Sequence, residues 1–282
     1  MNILSVQSWV SYGHVGNAAA VFPMQRLGAE VWAINTVQFS NHTGYGAWRG
    51  AVMPPEMIRD LVTGIEERGA LPACDALLSG YLGDPQVAEA VLHARARLLA
   101  ANPAALYCAD PVIGDEDKGI YVRPGVAELI RARIVPAADI VTPNLFELKY
   151  LTGLPCGTLA EVKRAVGALQ ALGPRRVLVT SLRTGETPDD ALDMLAADGE
   201  ACFRLRAPLL PLAVNGAGDA VAALFLLHVL RSGSVAEALS AAGSAIHAVL
   251  RHTAALGLRE IALIAAQEEL VRPSRIFAAE PV

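Results

Sequence analysis

The chain has 282 residues, a hydrophobic content of 53% and a formal net charge of −5, which allows one large α/β domain or two small ones. No lysine- and arginine-rich stripe is present, so we expect no nucleic-acid partner. The four cysteines stand far apart, without the spacing of a zinc site or a disulfide framework, which favours a reducing, cytoplasmic location.

The chain also lacks the pattern of a membrane protein. No basic leader opens it, so we predict no signal peptide. Its longest apolar run, residues 220–230, is well short of the roughly 20 residues that span a bilayer. We therefore expect no membrane partner.

In the first part of the chain, strand-like runs alternate with helix-like runs. We predict strands over 3–7, 30–37, 75–79 and 105–109, and helices over 18–27, 54–69 and 85–100. A polar loop over 39–46 follows the second strand. The second predicted helix, 54–69, opens on two prolines, which are tolerated at the first helical positions.

The second part continues the alternation. We predict helices over 124–133, 144–151 and 159–172, strands over 140–142 and 176–180, a hairpin over 191–206 that turns at 197–199, and helices after Asp219. Alternating strands and helices indicate a mostly parallel sheet with helices on both faces. No linker or change of composition interrupts the chain, so we predict a single domain over 1–282.

Polar residues recur where the predicted strands end. They are Ser8, the segment 41–43, Asp110, the segment 142–144, Thr180 with Ser181, and the segment 215–219. Right-handed crossovers bring such strand ends to one edge of a parallel sheet, which is where ligands bind. Folding alone does not require a polar residue in every one of these loops, so the pattern predicts one shared site.

The segment 215–219, Asn-Gly-Ala-Gly-Asp, precedes a predicted buried helix. Gly216 and Gly218 would leave backbone N–H groups unobstructed at the helix start, and with the helix dipole these form an anion site. Asp219 beside it suits a reaction in which a hydroxyl loses a proton while negative charge develops opposite. The alternative is an ordinary helix start, capped by Asn215, with Asp219 complementing the dipole.

Further acidic residues fall at the same predicted edge. Asp110 and Asp115 follow a strand, and paired carboxylates there can hold Mg²⁺, usually through water. Asn144 and Glu147 share one face at a helix start. The alternatives are a plain turn for the first pair and a capping box for the second. With Asp219 there are four carboxylates without matching basic residues, which suits a metal-bound polyphosphate.

Other common motifs are missing: the chain has no Gly-Lys-Ser/Thr P-loop and no Gly-x-Ser-x-Gly elbow. Trp9, Tyr12 and Tyr81 follow predicted strand ends, where they would flank a flat ring or belong to the core.

Taken together, these segments resemble the pyridoxal kinases of the ribokinase-like superfamily, and the resemblance runs along nearly the whole chain. The segments that carry it are Ser8 with 12–17 (Tyr-Gly-His-Val-Gly-Asn), 36–43 (Thr-Val-Gln-Phe-Ser-Asn-His-Thr), 79–83 (Ser-Gly-Tyr-Leu-Gly), 110–112 (Asp-Pro-Val), 142–148 (Thr-Pro-Asn-Leu-Phe-Glu-Leu) and 216–219 (Gly-Ala-Gly-Asp). The last segment is shared across the superfamily, whereas the first two point to the pyridoxal branch.

The resemblance implies a ribokinase-like three-layer fold and a role for each matching residue. Asp219 would be the base that takes the proton from the 5′-hydroxyl of pyridoxal. The anion hole for the transferring phosphate would consist of Gly216, Ala217 and Gly218. On the substrate side, the expected residues are Ser8 and Thr43 at polar atoms of the ring, His42 and Tyr81 against its faces, and Gly44 in the same loop.

On the nucleotide side, the resemblance implies a site for Mg²⁺ and the triphosphate. The expected residues are Asp110, Asp115, Thr142, Asn144, Glu147, Thr180 and Ser181, with Asp115 and Glu147 at the metal. Residues 116–122 would form a flap over the phosphates. Because members of the family commonly work as dimers, we also expect a homodimer.

These observations predict an enzyme that uses ATP to phosphorylate pyridoxal to pyridoxal 5′-phosphate in vitamin B6 salvage. A hydroxymethylpyrimidine kinase, or a kinase of mixed specificity, is the rival within the same class. A non-catalytic protein that binds or senses the vitamer is the rival from another class. The presence of Asp219 with both glycines favours an enzyme over a sensor, because a sensor needs none of them.

Overall fold

A computed structural model describes residues 1–282. The strands are β1 (Asn2–Val10), β2 (Glu30–Phe39), β3 (Gly50–Val52), β4 (Ala76–Ser79), β5 (Leu106–Ala109), β6 (Gly114–Asp115), β7 (Gly119–Ile120), β8 (Ile140–Val141), β9 (Arg176–Leu182), β10 (Ala191–Asp198), β11 (Ala201–Pro208) and β12 (Glu280–Pro281). The helices are α1 (Asn17–Arg26), α2 (Pro55–Glu67), α3 (Pro85–Ala101), α4 (Val126–Leu129), α5 (Val135–Ala137), α6 (Leu145–Thr152), α7 (Leu159–Gln170), α8 (Ala217–Ser232), α9 (Val235–Ala255) and α10 (Gln267–Val271). Residues Ile130–Ile134 form a π-helical turn that joins α4 to α5.

Ten of the strands form one sheet in the order β12-β11-β10-β9-β8-β5-β4-β1-β2-β3. The central strands from β9 to β2 run parallel. Antiparallel strands complete both edges, with β3 on β2 and with β10, β11 and β12 beyond β9. The predicted mostly parallel sheet is confirmed.

Helices cover both faces of this sheet. Helices α2 to α7 contribute to one buried cluster, which includes Ile58, Val91, Leu148 and Val162. Helices α1, α8, α9 and α10 pack on the opposite face, where Phe225 is fully buried. The predicted three-layer architecture is therefore confirmed, and no helix is long and apolar enough to cross a bilayer.

Several predicted boundaries were wrong, with identifiable causes. β1 continues to Val10, because its pairing with β2 shifts register between Gln7 and Trp9 and resumes beyond the irregularity. Ser8 consequently lies inside β1 rather than at its end. The hairpin turns at Gly199 and Glu200, later than predicted, because β10 extends to Asp198.

Three short pairings were not predicted. β3 and β12 are only three and two residues long, too short to produce a clear alternating pattern. The predicted flap is largely a separate two-stranded hairpin, in which Gly114 pairs with Ile120 and Asp115 with Gly119.

Candidate active site

A cavity of about 460 Å³ opens where the central parallel strands end at their carboxyl termini. The residues to which the sequence analysis gave a role in catalysis or binding all line it: Ser8, His42, Thr43, Gly44, Tyr81, Asp110, Asp115, Thr142, Asn144, Glu147, Thr180, Ser181, Gly216, Ala217, Gly218 and Asp219. Trp9 and Tyr12, considered as neighbours of a flat ring, do not line it. The predicted convergence of these strand ends on one site agrees with the structure. The parallel topology explains it, because all these strands point the same way.

The start of α8 forms the floor of this cavity. Gly216 is the N-cap in a left-handed conformation (φ +85°), and no side chain caps the helix. A Cβ on Gly216 would collide with the backbone carbonyl of His14, so only glycine fits here. The predicted alternative, capping by Asn215, is not realised. The first N–H groups of α8 therefore remain available to an anion.

Asp219 lies in the first turn of α8, at the cavity wall. Burial raises the pKa of its carboxyl group above the ordinary value. Hydrogen bonds from the backbone N–H of Gly16 and from its own N–H oppose that shift, because they favour the ionised form. The result is an oriented carboxylate that is more basic than an exposed aspartate.

Asp110 is buried just after β5 and accepts a hydrogen bond from Thr142 Oγ1 at 3.0 Å. Burial raises its pKa well above the ordinary range, and the nearby Glu147 and Asp219 raise it further. No basic side chain forms an ion pair with Asp110 in the structure. When ionised, this side chain therefore contributes negative potential without a compensating charge.

Glu147 is buried at the start of α6, where three backbone N–H groups donate to it. Its Oε1 accepts from Ile113 at 2.8 Å and from Gly114 at 3.4 Å, and its Oε2 accepts from Asn144 at 2.9 Å. Asn144 Oδ1 in turn accepts from the N–H of Glu147 at 2.9 Å, which completes a capping box. Burial raises the pKa of Glu147, while these donors favour its ionised form. The capping box is therefore present, and the same carboxylate still lines the cavity.

The hairpin of β6 and β7 places one basic residue at the cavity. Asp115 Oδ1 accepts from the N–H of Lys118 at 2.8 Å, and its Oδ2 lies 3.3 Å from Lys118 Nζ. Lys118 lines the cavity. The expectation of carboxylates without matching basic residues was therefore wrong for Asp115, although it holds for the buried carboxylates. The spacing of Asp115 and Lys118 in the sequence was the available signal for this pair.

On the other side of the cavity lie the residues expected to hold a substrate ring. Ser8 is buried against Gly16, whose hypothetical Cβ would collide with it. His42 Nδ1 accepts from the N–H of Gly44 at 3.1 Å, and burial lowers the pKa of His42. The imidazole is therefore neutral near pH 7. Tyr81 is half-buried, and burial raises its pKa.

Apolar side chains also line the cavity, and the sequence analysis did not assign them to it. They are Val10, Val15, Val37, Phe39, Val112 and Val214, together with the aromatic Tyr121. Most of them lie in or beside strands, so their alternating pattern indicates a core and does not distinguish a core from a cavity wall.

Ser181 is the only residue other than glycine with a positive φ, at 51°. It lies in β9, opposite an irregularity in the pairing with β10 between Asp193 and Leu195. Thr180 beside it donates its N–H to the carbonyl of Pro143 at 2.9 Å. Strained backbone of this kind clusters at functional sites, so Ser181 belongs to the candidate site on conformational grounds as well.

The charges of the site suit a cation. Asp110, Asp115, Glu147 and Asp219 all raise the pKa of Tyr121, after the larger effect of burial, so their potentials overlap at one place. No cluster of three or more His, Cys, Asp or Glu side chains forms a complete protein cage for a metal. A divalent ion bound here would take most of its ligands from water and phosphate, as Mg²⁺ usually does.

Comparisons with known proteins agree with this geometry. The family model of phosphomethylpyrimidine kinases matches residues 28–263. The chain is 56% identical over 284 residues to the pyridoxal kinase PdxY of Granulibacter bethesdensis, covering 99% of each protein. It is 55% identical over 287 residues to the pyridoxal kinase PdxY of Deinococcus radiodurans, covering 100% of this chain and 96% of the relative.

A solved structure shows the same fold. The pyridoxal kinase of Leishmania donovani, in complex with ADP and ginkgotoxin, matches with a TM-score of 0.93 at 28% identity, covering 100% of this chain and 99% of the other. The fold and the resemblance inferred from the sequence are both confirmed.

Proposed function

We propose that this chain, which belongs to the pyridoxal kinases of the phosphomethylpyrimidine kinase family, transfers the γ-phosphoryl group of ATP to the 5′-hydroxyl of pyridoxal. The product is pyridoxal 5′-phosphate, and the role is vitamin B6 salvage. One observation carries the proposal: Asp219, a carboxylate with a raised pKa, adjoins uncapped N–H groups of α8 in a cavity at the sheet edge.

In phosphoryl transfer, the protein contributes mainly by positioning the substrates and by stabilising the developing charge. Asp219 accepts the proton of the 5′-hydroxyl group while the hydroxyl oxygen attacks the γ-phosphorus of ATP. The backbone N–H groups of Gly216, Ala217 and Gly218 stabilise the negative charge of the transferring group. The backbone N–H of Gly16 favours the ionised form of Asp219, which is the form that accepts the proton.

We propose a Mg²⁺ ion beside the carboxylates, where it would neutralise charge on the triphosphate. Asp115 would approach it most directly, because its oxygens accept only from Lys118, whereas Glu147 already accepts three backbone N–H donors. Glu147 and Asp110 would act through water. Thr142, Asn144, Thr180 and Ser181 would contact the nucleotide, and Lys118 would face its phosphates from the hairpin.

The vitamer would occupy the opposite end of the cavity. Ser8 and Thr43 would hydrogen-bond the polar atoms of the ring, with His42 and Tyr81 beside its faces and Gly44 leaving room in the loop. A neutral His42 suits this place, since an imidazolium would repel the protonated pyridine nitrogen. Val37 and Phe39 would supply apolar contacts to the ring.

We further propose that the protein acts as a homodimer in the cytoplasm. Its cysteines are all free and buried, which fits a reducing compartment. Exposed Met57 and Leu61 lie one turn apart on α2 and offer an apolar surface to a second copy.

A second candidate acceptor is hydroxymethylpyrimidine. The observation that favours it is the match of residues 28–263 to the phosphomethylpyrimidine kinase model. Both acceptors present a hydroxymethyl group on a flat aromatic ring, so the same base and anion site would serve either.

The test is a turnover assay with ATP, Mg²⁺ and pyridoxal, pyridoxine, pyridoxamine or hydroxymethylpyrimidine as acceptor, with each product identified by mass. We expect pyridoxal 5′-phosphate and ADP in equal amounts, and loss of product when the metal is chelated. Absence of phosphorylated pyridoxal, or product that forms without ATP, would contradict the proposal.

A further inference from the structure

A single residue outside the cavity, Glu260, joins three segments that line it, two through its carboxylate and one through its backbone. Glu260 follows α9, and its Oε2 accepts from the N–H of His14 at 3.0 Å. Its Oε1 accepts from the hydroxyl of Tyr45 at 2.7 Å. Its backbone pairs with Asn215 in an isolated parallel bridge. Glu260 itself does not line the cavity.

The first of the three segments, residues 12–16, contacts the catalytic turn. The N–H of Gly16 donates to the Asp219 carboxylate. The carbonyl of His14 lies against Gly216 closely enough to exclude a Cβ there. Gly13 has a φ of +92°, and a Cβ on it would collide with the Glu260 carboxylate. The carboxylate of Glu260 therefore contacts the segment 12–16, which itself contacts Asp219 and Gly216.

The second segment is the loop that carries His42, Thr43 and Gly44. Tyr45 ends it, and its ring meets Tyr12 edge-on at 6.1 Å between centroids. The guanidinium of Arg259 lies 4.8 Å from the centroid of the same ring. The hydrogen bond to Glu260 is the largest of the effects that raise the pKa of Tyr45 to about 12. The hydroxyl thus remains a donor throughout the working pH range.

The third segment, at Asn215, leads directly into Gly216. Asn215 Nδ2 is also near Gly44, since a Cβ on that glycine would lie 3.9 Å from it. The loop of residues 42–45, the segment 12–16 and the turn at residues 215–216 therefore meet around one residue, Glu260.

We propose that Glu260 is a positioning residue, which holds the loop carrying His42 and Thr43 at a set distance from Asp219 and the N–H groups of α8. This inference rests on the proposed function, because it assigns the loop to the acceptor. A displacement of about 1 Å in a reacting geometry can cost on the order of 10²-fold in rate. The nucleotide end, built from β5, β8, β9 and the β6–β7 hairpin, makes none of these contacts with Glu260.

This role predicts that removing the Glu260 side chain impairs the use of pyridoxal more than the binding of ATP. Glu260→Ala should lower kcat/KM for pyridoxal by roughly tenfold or more, while KM for ATP stays within about twofold. Glu260→Gln keeps an acceptor for His14 and an amide group that can partner Tyr45, so it should recover most of the loss. Tyr45→Phe should lower kcat/KM for pyridoxal less than Glu260→Ala does. Adding Tyr45→Phe to Glu260→Ala should cause almost no further loss, because the two residues share one interaction.

The matched control is Glu268→Ala. Glu268 also lies in the C-terminal segment and forms an ion pair with Arg26 at 2.7 Å, but it is exposed and distant from these loops. We expect it to leave both substrates unaffected.

The experiment compares steady-state constants for both substrates, thermal midpoints and pyridoxal affinity without nucleotide across these variants. A parent protein that leaves pyridoxal unphosphorylated would contradict the proposed function. If the parent is active, a rise in the KM for ATP in Glu260→Ala as large as the fall in kcat/KM for pyridoxal would overturn the role of Glu260 alone. Additive effects of Tyr45→Phe and Glu260→Ala would overturn it as well, and Tyr45→Phe keeps the test available if Glu260→Ala folds poorly.

Discussion

Asp219 is a carboxyl group on which burial and hydrogen bonding act in opposite directions. Burial raises its pKa, and the N–H of Gly16 limits that rise. A base is most effective when its pKa lies near the working pH, provided that it is ionised there. The structure therefore accounts for a stronger base than an exposed aspartate without any basic neighbour.

Asp219→Asn keeps the shape of the side chain but cannot accept a proton. We expect the rate at saturating substrates to fall by about 10²–10⁴-fold, the usual contribution of a general base. Pyridoxal affinity, measured without nucleotide, should be nearly unchanged. A rate within threefold of the parent would rule out Asp219 as the base.

The raised pKa of Asp219 also sets the direction of the pH dependence. The base acts only when ionised, so kcat/KM should fall as the pH drops through the raised pKa, above the ordinary carboxyl value of 3.8. A pH–rate profile of the parent tests this. A decrease in kcat/KM on the acid side that is centred at pH 3.8 or below would contradict this prediction.

We expect the Asp110 side chain to lower the free energy of unfolding at pH values at which it is ionised. Its folded-state pKa lies well above 3.8, so the folded protein binds the proton more tightly than the unfolded chain does. The resulting stabilisation is complete below about pH 3.8 and is lost as the pH rises through the raised pKa. Asp110→Asn should therefore melt higher than the parent near pH 8, by about 2–4 °C per kcal/mol, and this advantage should shrink toward acid pH.

The measurement is the thermal midpoint between pH 5 and 8, with turnover expected to fall in the same variant. Asp117→Asn, on the exposed tip of the neighbouring hairpin, is the control and should change neither quantity. A lower midpoint for Asp110→Asn at pH 8 would show that its carboxylate is stabilising after all.

At the scale of elements, the β6–β7 hairpin brings Asp115 and Lys118 to the cavity, at the end that we assign to the nucleotide. Asp115→Asn removes a negative charge from the proposed Mg²⁺ site, so the Mg²⁺ concentration for half-maximal rate should rise severalfold. Pyridoxal affinity without nucleotide should not change. An unaltered metal requirement, equal to that of Asp117→Asn, would exclude Asp115 from the metal site.

The elements also show why the sequence predicted so much of this site. Asp110 and Thr142 follow buried apolar strands and Thr180 lies near the end of another, and parallel topology alone brings such positions to one edge. The placement of Ser8 was less accurate, because a register shift inside β1 leaves no trace in hydrophobic patterning. Lys118 was not assigned, since the two-residue strands of its hairpin are too short for a periodic signal.

At the scale of the whole molecule, contacts between distant parts of the chain complete the site. Tyr45 and Glu260 are 215 residues apart and share one hydrogen bond. No local pattern predicts such a pairing, because it depends on how α9 returns the chain to the sheet edge. The apolar wall of Val37 and Phe39 has the same origin, since only tertiary packing decides whether such residues face a cavity or a core.

The identity of the acceptor ring is the central claim, and it depends on the far end of the cavity. In the proposed function, Ser8 and Thr43 hydrogen-bond polar atoms of the ring, and a ring without partner atoms would leave them unpaired, at about 1–3 kcal/mol each. Ser8→Ala and Thr43→Val should each lower kcat/KM for pyridoxal by roughly tenfold, and should narrow its advantage over hydroxymethylpyrimidine.

The most direct measurement is a competition between pyridoxal and hydroxymethylpyrimidine for the unmutated protein, with ATP and Mg²⁺ present. The two products, separated by mass, give the ratio of the specificity constants. We predict a ratio clearly in favour of pyridoxal that falls in Ser8→Ala and Thr43→Val. Equal or preferred use of the pyrimidine by the unmutated protein would contradict the assignment of pyridoxal as the substrate.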